Sequence, residues 1–159
     1  MKSEKMTPVV TTIADILFPF IMIFSFYIIM HGHLTPGGGF QGGAVGASAI
    51  VMLIVAYGAK EIHDRVKGEN MSLLENAGGI IFVVVGLIGF LATSTFMYNF
   101  LVGEPFFGDI PSFGGNPGVL NSGGFLPLFN IAVGIKVIGG LASVVLVMAL
   151  ASDTKGDDK

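Results

Sequence analysis

Asp15 and Lys136 each lie inside a long apolar run, whereas the other Lys and Arg residues gather in short polar stretches. A charge within a lipid-spanning segment is costly enough to mark either a compensating ion pair or a functional pathway. Counting from the start of each run puts Lys136 about 15 Å below one membrane face and Asp15 about 9 Å above the other, so that they differ in depth by about 6 Å. Two readings fit. Either the charges neutralise one another, or Lys136 meets a carboxylate of a neighbouring chain, or else Lys136 belongs to a polar relay for protons, alone or coupled to a cation. Asn130 precedes it by six residues, and Gly134, Gly139, Gly140 and Ser143 surround it. That small, polar helix face predicts a Lys136 directed into protein rather than lipid. Asp15 is close enough to its end of the span to snorkel towards the surface, and ranks second as an ion-path candidate.

A second group of candidates occupies the turn His31-Gly32-His33-Leu34-Thr35-Pro36-Gly37-Gly38-Gly39-Phe40-Gln41-Gly42-Gly43. His31 and His33 are two apart and share no helix face. With no carboxylate nearby in sequence, a metal site is not expected. Interfacial anchoring, or proton exchange by His33 at a membrane mouth, suits a side chain that titrates near neutral pH. Gly37 to Gly42 fits the dinucleotide pattern G-x-G-x-x-G, but that pattern works only between a strand and a helix, and here an apolar helix precedes it. Packing accounts for the glycines better. Gly39, Gly43 and Ala47 recur every four residues, and Gly42 with Gly46 forms a second G-x-x-x-G register, so another helix can approach closely. Pro36, Gly37 and Gly38 let the backbone turn sharply before the helix carrying Phe40, and lining of an ion path is the rival reading of this segment.

These side chains must be held by membrane helices. Of 159 residues, 52% are apolar and 12% charged, and the mean hydropathy is +0.80. A soluble domain carries about 25% charged residues. The absence of Cys excludes a disulfide framework and thiolate metal sites, and a net charge of -3 gives no footprint for nucleic acid. An all-α integral membrane protein is predicted, one domain over 1–159 with four transmembrane helices at about 9–30, 39–59, 73–96 and 126–150. Thr7-Pro8, the capping box Ser72-x-x-Glu75 and Pro127 mark helix starts. The first span is too long for a signal-peptide core and carries Asp15 and Pro19, so it is expected to stay in the mature protein. Setting Lys136 aside, Lys2, Lys5, Lys60, Arg65, Lys67, Lys155 and Lys159 all fall on one side of this arrangement. The positive-inside rule then puts both termini in the cytoplasm. The long outer loop Met97–Phe125, between the third and fourth spans, holds seven glycines and the aromatics Phe106, Phe107, Phe113 and Phe125. It reads either as a flexible surface loop or as a flap folded over the outer rim.

The stretch from Gly32 to Gly43 resembles the signature of the MnhB family, one of the component chains of multisubunit Mrp/Mnh-type cation/proton antiporters. Asn130 to Leu141 is similar to that family's last helix. The resemblance covers nearly the whole chain. It implies a non-catalytic subunit of a sodium/proton antiport module in the cytoplasmic membrane, without cofactor or redox centre, whose partners are other antiporter-module membrane subunits. The variant Gly32-His33-Leu34-Thr35-Pro36 is similar to archaeal members that work beside a redox module, which implies a membrane-bound hydrogenase-type respiratory complex. Pro36, Gly37, Gly38, Gly39, Phe40, Gly42, Gly43, Gly134 and Lys136 match the family pattern, and a role in the ion path falls first to Lys136. The alternative is an architectural subunit that bridges larger subunits and conducts nothing.

Overall fold

Between helices in lipid the hydrophobic effect offers little, because acyl chains are as apolar as leucine, and association depends on close van der Waals packing and interhelical hydrogen bonds. The fold follows that constraint. A computed structural model describes residues 6–66, 68–111 and 118–157, with side chains as far as 152. Lys2, Lys5, Lys67, Phe113 and Lys159 lie outside the described residues, and Lys155 falls beyond the described side chains. The elements are α1 (Pro8–Met30), α2 (Gly38–Tyr57), α3 (Ala59–Val66), α4 (Gly68–Thr93) and α5 (Leu126–Asp157). Apart from α3, each includes a stretch long and apolar enough to cross a membrane.

The four long helices pack in the spatial order α1, α2, α5, α4, so that the glycine-rich α2 is sandwiched between α1 and α5. Its two glycine registers serve different neighbours. A Cβ on Gly43 would stand 2.7 Å from Val137 Cβ and 2.9 Å from the Gly134 carbonyl oxygen, both on α5. One on Gly42 would stand 3.0 Å from the Ser25 carbonyl oxygen of α1. Ser25, fully buried, donates its hydroxyl to the Gly42 carbonyl at 2.7 Å and so ties α1 to α2.

Helix ends differ from expectation in three places. α2 stops at Tyr57, where Gly58 turns the chain at φ +89°, and the amphipathic α3 follows at once, burying Ala59 and Ile62. α4 begins at Gly68 and ends at Thr93, so Ser72 lies inside a helix and no capping box operates there. Thr7 caps α1 without a side-chain hydrogen bond, leaving Pro8 as the starting signal. Pro127 falls in the first turn of α5, where its missing N–H costs nothing.

Two clusters close the ends of the bundle. At one, Ala14, Ile54, Tyr57, Ile62 and Leu146 pack beneath α3, and the Met6 N–H donates to the Ala56 carbonyl at 3.0 Å. Lys60 and Arg65 belong to this end. At the other, Phe125 and Phe129 pack edge to face at 4.8 Å, with Phe82 and Phe100 around them. Here the segment after α4 folds back on its own helix: a Cβ on Gly89 would stand 2.8 Å from the backbone of Tyr98. Asn99 and Asn121 hold its turns, Asn121 by accepting the Phe107 N–H at 2.7 Å and donating to the Pro105 carbonyl at 3.1 Å.

Candidate functional site

α4 and α5 approach through glycine. A Cβ on Gly78 would lie 2.6 Å from the Lys136 nitrogen, and one on Gly139 2.8 Å from the Glu75 nitrogen. With the backbones this close, the side chains of Glu75 and Lys136 meet, the ammonium donating to Glu75 Oε1 at 3.3 Å. Both remain partly open, Lys136 at 50% and Glu75 at 39% side-chain exposure. Lys136 therefore lies on the flank of the bundle, where its own chain leaves it half open. The reason is helical phase: Gly134 and Ile138 face inward, and a residue two positions from each is turned by about 200°.

Asp15 does not reach Lys136. Its carboxylate accepts the Tyr57 hydroxyl at 2.5 Å, which binds the second turn of α1 to the last residue of α2. The Arg65 guanidinium covers the Tyr57 ring, 4.7 Å from its centroid. Arg65 in turn donates to Glu61 Oε1 from Nε at 3.1 Å and from Nη2 at 2.9 Å. Hydrogen bonding to this carboxylate holds the guanidinium above its ordinary pKa. Asp15, Tyr57, Arg65 and Glu61 thus link α1, α2 and α3 at the end that carries Lys60.

Asn130 faces the turn between α1 and α2. Its Oδ1 accepts the Gly39 N–H at 3.3 Å, and a Cβ on Gly32 would lie 2.7 Å from its Nδ2. Pro36 and Gly37 complete that turn, with Gly37 at φ +124° and Gly38 at φ +51°, a region other residues seldom enter. Gly39, Gly42, Gly43 and Gly46 are buried, whereas Phe40 projects outward with 61% exposure. The His31 ring lies against that of Tyr27, tilted by 34°, with ring centroids 4.1 Å apart. His33 packs against Gly123, and both its ring nitrogens are buried with no hydrogen-bond partner among the described residues. No group of three metal-ligating side chains occurs among the described residues.

Sequence reasoning thus placed Lys136 and Asp15 within spans but missed their partners, Glu75 and Tyr57. The usable signal for Glu75 was the pair Gly78-Gly79 three and four residues later. Glycines that permit close helix approach are expected in the middle of a packed helix, which moves Glu75 from a helix start into its body.

Known proteins resemble this chain along most of its length. A family profile described as "Domain related to MnhB subunit of Na+/H+ antiporter" matches residues 9–143. A Bacillus subtilis protein named as one subunit of a Na(+)/H(+) antiporter is 34% identical over 98 residues, which is 61% of this chain and 68% of that protein. An uncharacterized protein of Methanocaldococcus jannaschii is 29% identical over 147 residues, 90% of this chain, and the chain spans about half (52%) of that protein's length. Among solved structures, a chain of the membrane-bound sulfane sulfur reductase, an archaeal respiratory membrane complex, superposes with a TM-score of 0.70 at 36% identity, covering 92% of this chain and 61% of that one. The four apolar spans, the glycine-packed α2 and the profile match over most of the sequence lead to one conclusion: this multi-pass membrane chain belongs to the MnhB family.

Proposed function

We propose that the chain is a non-catalytic subunit of a sodium/proton antiport module within a membrane-bound respiratory complex, and that the Lys136–Glu75 pair takes part in its ion route. The observation that carries this reading is the pair itself, 3.3 Å long, inside two spans and open on the flank of the bundle. An ion pair kept only for architecture is better buried, since exposure to lipid is costly. A half-open pair suits a group that passes a proton or meets a cation at the boundary with another chain. The Bacillus subtilis relative named as an antiporter subunit supports the transport class. The sulfane sulfur reductase relative supports a respiratory parent complex, and a hydrogenase module remains the other candidate for the redox partner, decided by identifying the companion chains after purification.

The same reading places the chain in the cytoplasmic membrane with Lys60, Arg65 and both termini inside and the segment after α4 outside. The second reading, a purely architectural subunit, draws on the dense glycine contacts of α2. Lys136→Ala separates them. Measured as sodium-dependent proton movement in vesicles, exchange falls by about 100-fold or more, the lower end of what a positioned proton-transfer group contributes. Full exchange by a normally assembled complex gives the architectural reading.

A further inference from the structure

Gly79 is a bare patch between two polar side chains of α4. Around the helix Glu75 stands about 40° from it on one side and Asn76 about 60° on the other, at about 100° per residue. Residues three or four apart on a helix are neighbours, with about 5–6 Å between their Cβ atoms. Over this patch lies the Lys136 ammonium: a Cβ on Gly79 would meet its Nζ at 3.8 Å, while its hydrogen bond goes to Glu75 Oε1 at 3.3 Å. Two grooves join here, since Gly79 and Val83 border both the one that contains Lys136 and the one that contains Asn76.

Asn76 is the unexplained member of this group. Asn70, Asn99, Asn121 and Asn130 each hold a hydrogen bond, whereas the exposed Asn76 carboxamide makes none among the described residues. It lies eight residues past the start of α4, about 12 Å along the helix. At that depth water is scarce, and an amide without a partner is costly to keep. Lys136 for its part uses one of three N–H groups, carried on a flexible four-carbon stem that is half open. A Cβ at residue 79 would meet no other neighbour within 4 Å, so the way from Glu75 to Asn76 is clear.

The two acceptors differ in kind. A charged acceptor binds about twice as strongly as a neutral one, which makes Glu75 the partner while it is ionised. A proton on Glu75 removes that advantage, and a metal cation there also repels the ammonium. The Asn76 amide does not titrate, so it accepts equally well in either case.

We infer that Asn76 is a second acceptor for Lys136: the ammonium crosses Gly79 from the carboxylate to the Asn76 carbonyl oxygen when a proton or sodium ion takes Glu75, and returns when that ion leaves. Asn76 is thus a positioning residue that acts through Lys136. What takes the carboxylate rests on the proposed ion route, but the second acceptor itself does not.

The test has two arms, both on the assembled complex in membrane vesicles. In the first, a membrane-permeant carbodiimide joins a carboxylate to an amine in direct contact with it, and mass spectrometry locates the link. Wild type is expected to link Lys136 to Glu75, and the double variant Glu75→Gln with Asn76→Asp to link Lys136 to residue 76 instead. A wild-type link with none in the double variant overturns the inference. In the second arm, sodium-dependent proton movement is followed against sodium concentration. Asn76→Leu leaves the ammonium no acceptor but the carboxylate, and is expected to raise the apparent KM for sodium about 10-fold, the factor for one hydrogen bond to a charged group. Asn76→Gln keeps the amide and is expected to bring KM back near wild type. A purely structural Asn76 would change the amount of complex and leave KM as it was, and that result overturns the inference. A link to residue 76 while Glu75→Gln exchanges normally upholds the second acceptor and refutes the ion route.

Discussion

A hydroxyl surrounded by hydrocarbon has no water to return to, so the value of the Ser25 bond to Gly42 is set by what the unpacked helix could find instead. In membrane proteins such alternatives exist, and interhelical bonds average about 0.6 kcal/mol, with model peptides nearer 1–2. Ser25→Ala is therefore expected to cost about 0.5–1 kcal/mol, read as a small drop in the thermal midpoint of the detergent-solubilised chain; an unchanged midpoint would mean that the α1–α2 contact is held by packing alone. Glu75 poses a sharper case. Glu75→Ala strands Lys136 without its one described acceptor, and the loss should exceed that of Ser25→Ala even after allowing for the pair's half-exposure. Exchanging the two charges, Glu75→Lys with Lys136→Glu, is expected to restore most of it. A double variant no more stable than Glu75→Ala would show that the pair contributes through the surrounding groove and not through its charges.

At the scale of elements, α2 decides how near its neighbours can stand. Gly43→Leu drives a side chain into Val137 and the Gly134 carbonyl, and a backbone oxygen cannot step aside as a rotamer can. The expected cost is about 3 kcal/mol or more, the upper end of ordinary overpacking, with loss of the folded chain from detergent extracts. Gly68→Ala is the matching control: its Cβ would lie 3.5 Å from the His63 ring, ordinary contact, so stability should stay level or rise by up to about 1 kcal/mol. Normal recovery of Gly43→Leu would contradict the packing described for α2 and α5. The four spans were legible in the sequence because length and apolarity suffice to define them. α3 was not, since eight residues with both charged and apolar members read equally well as a connection. The start of α4 was misplaced for a related reason: Ser72 and Glu75 suit a capping box locally, and only a lysine 61 residues away gives Glu75 another task. Likewise Tyr57 carries no local mark as the partner of Asp15, because their meeting depends on α1 and α2 being antiparallel and in register.

For the whole molecule, the distribution of charge sets the direction of insertion. Lys60 and Arg65 share an end with the start of α1, while the turn 31–37 and the segment after α4 contain no Lys or Arg. In this cysteine-free chain, Lys60→Cys is expected to react with an impermeant maleimide only from the cytoplasmic face and Phe106→Cys only from the outside; the reverse pattern would invert the topology. Such an insertion leaves Lys136 and Glu75 at depth, reached from the side of the bundle and not from either end. The most direct measurement is sodium-driven proton movement in proteoliposomes holding the assembled complex with Glu75→Gln. The proposed ion route predicts a rate about 100-fold or more below wild type with assembly intact; wild-type exchange would contradict it.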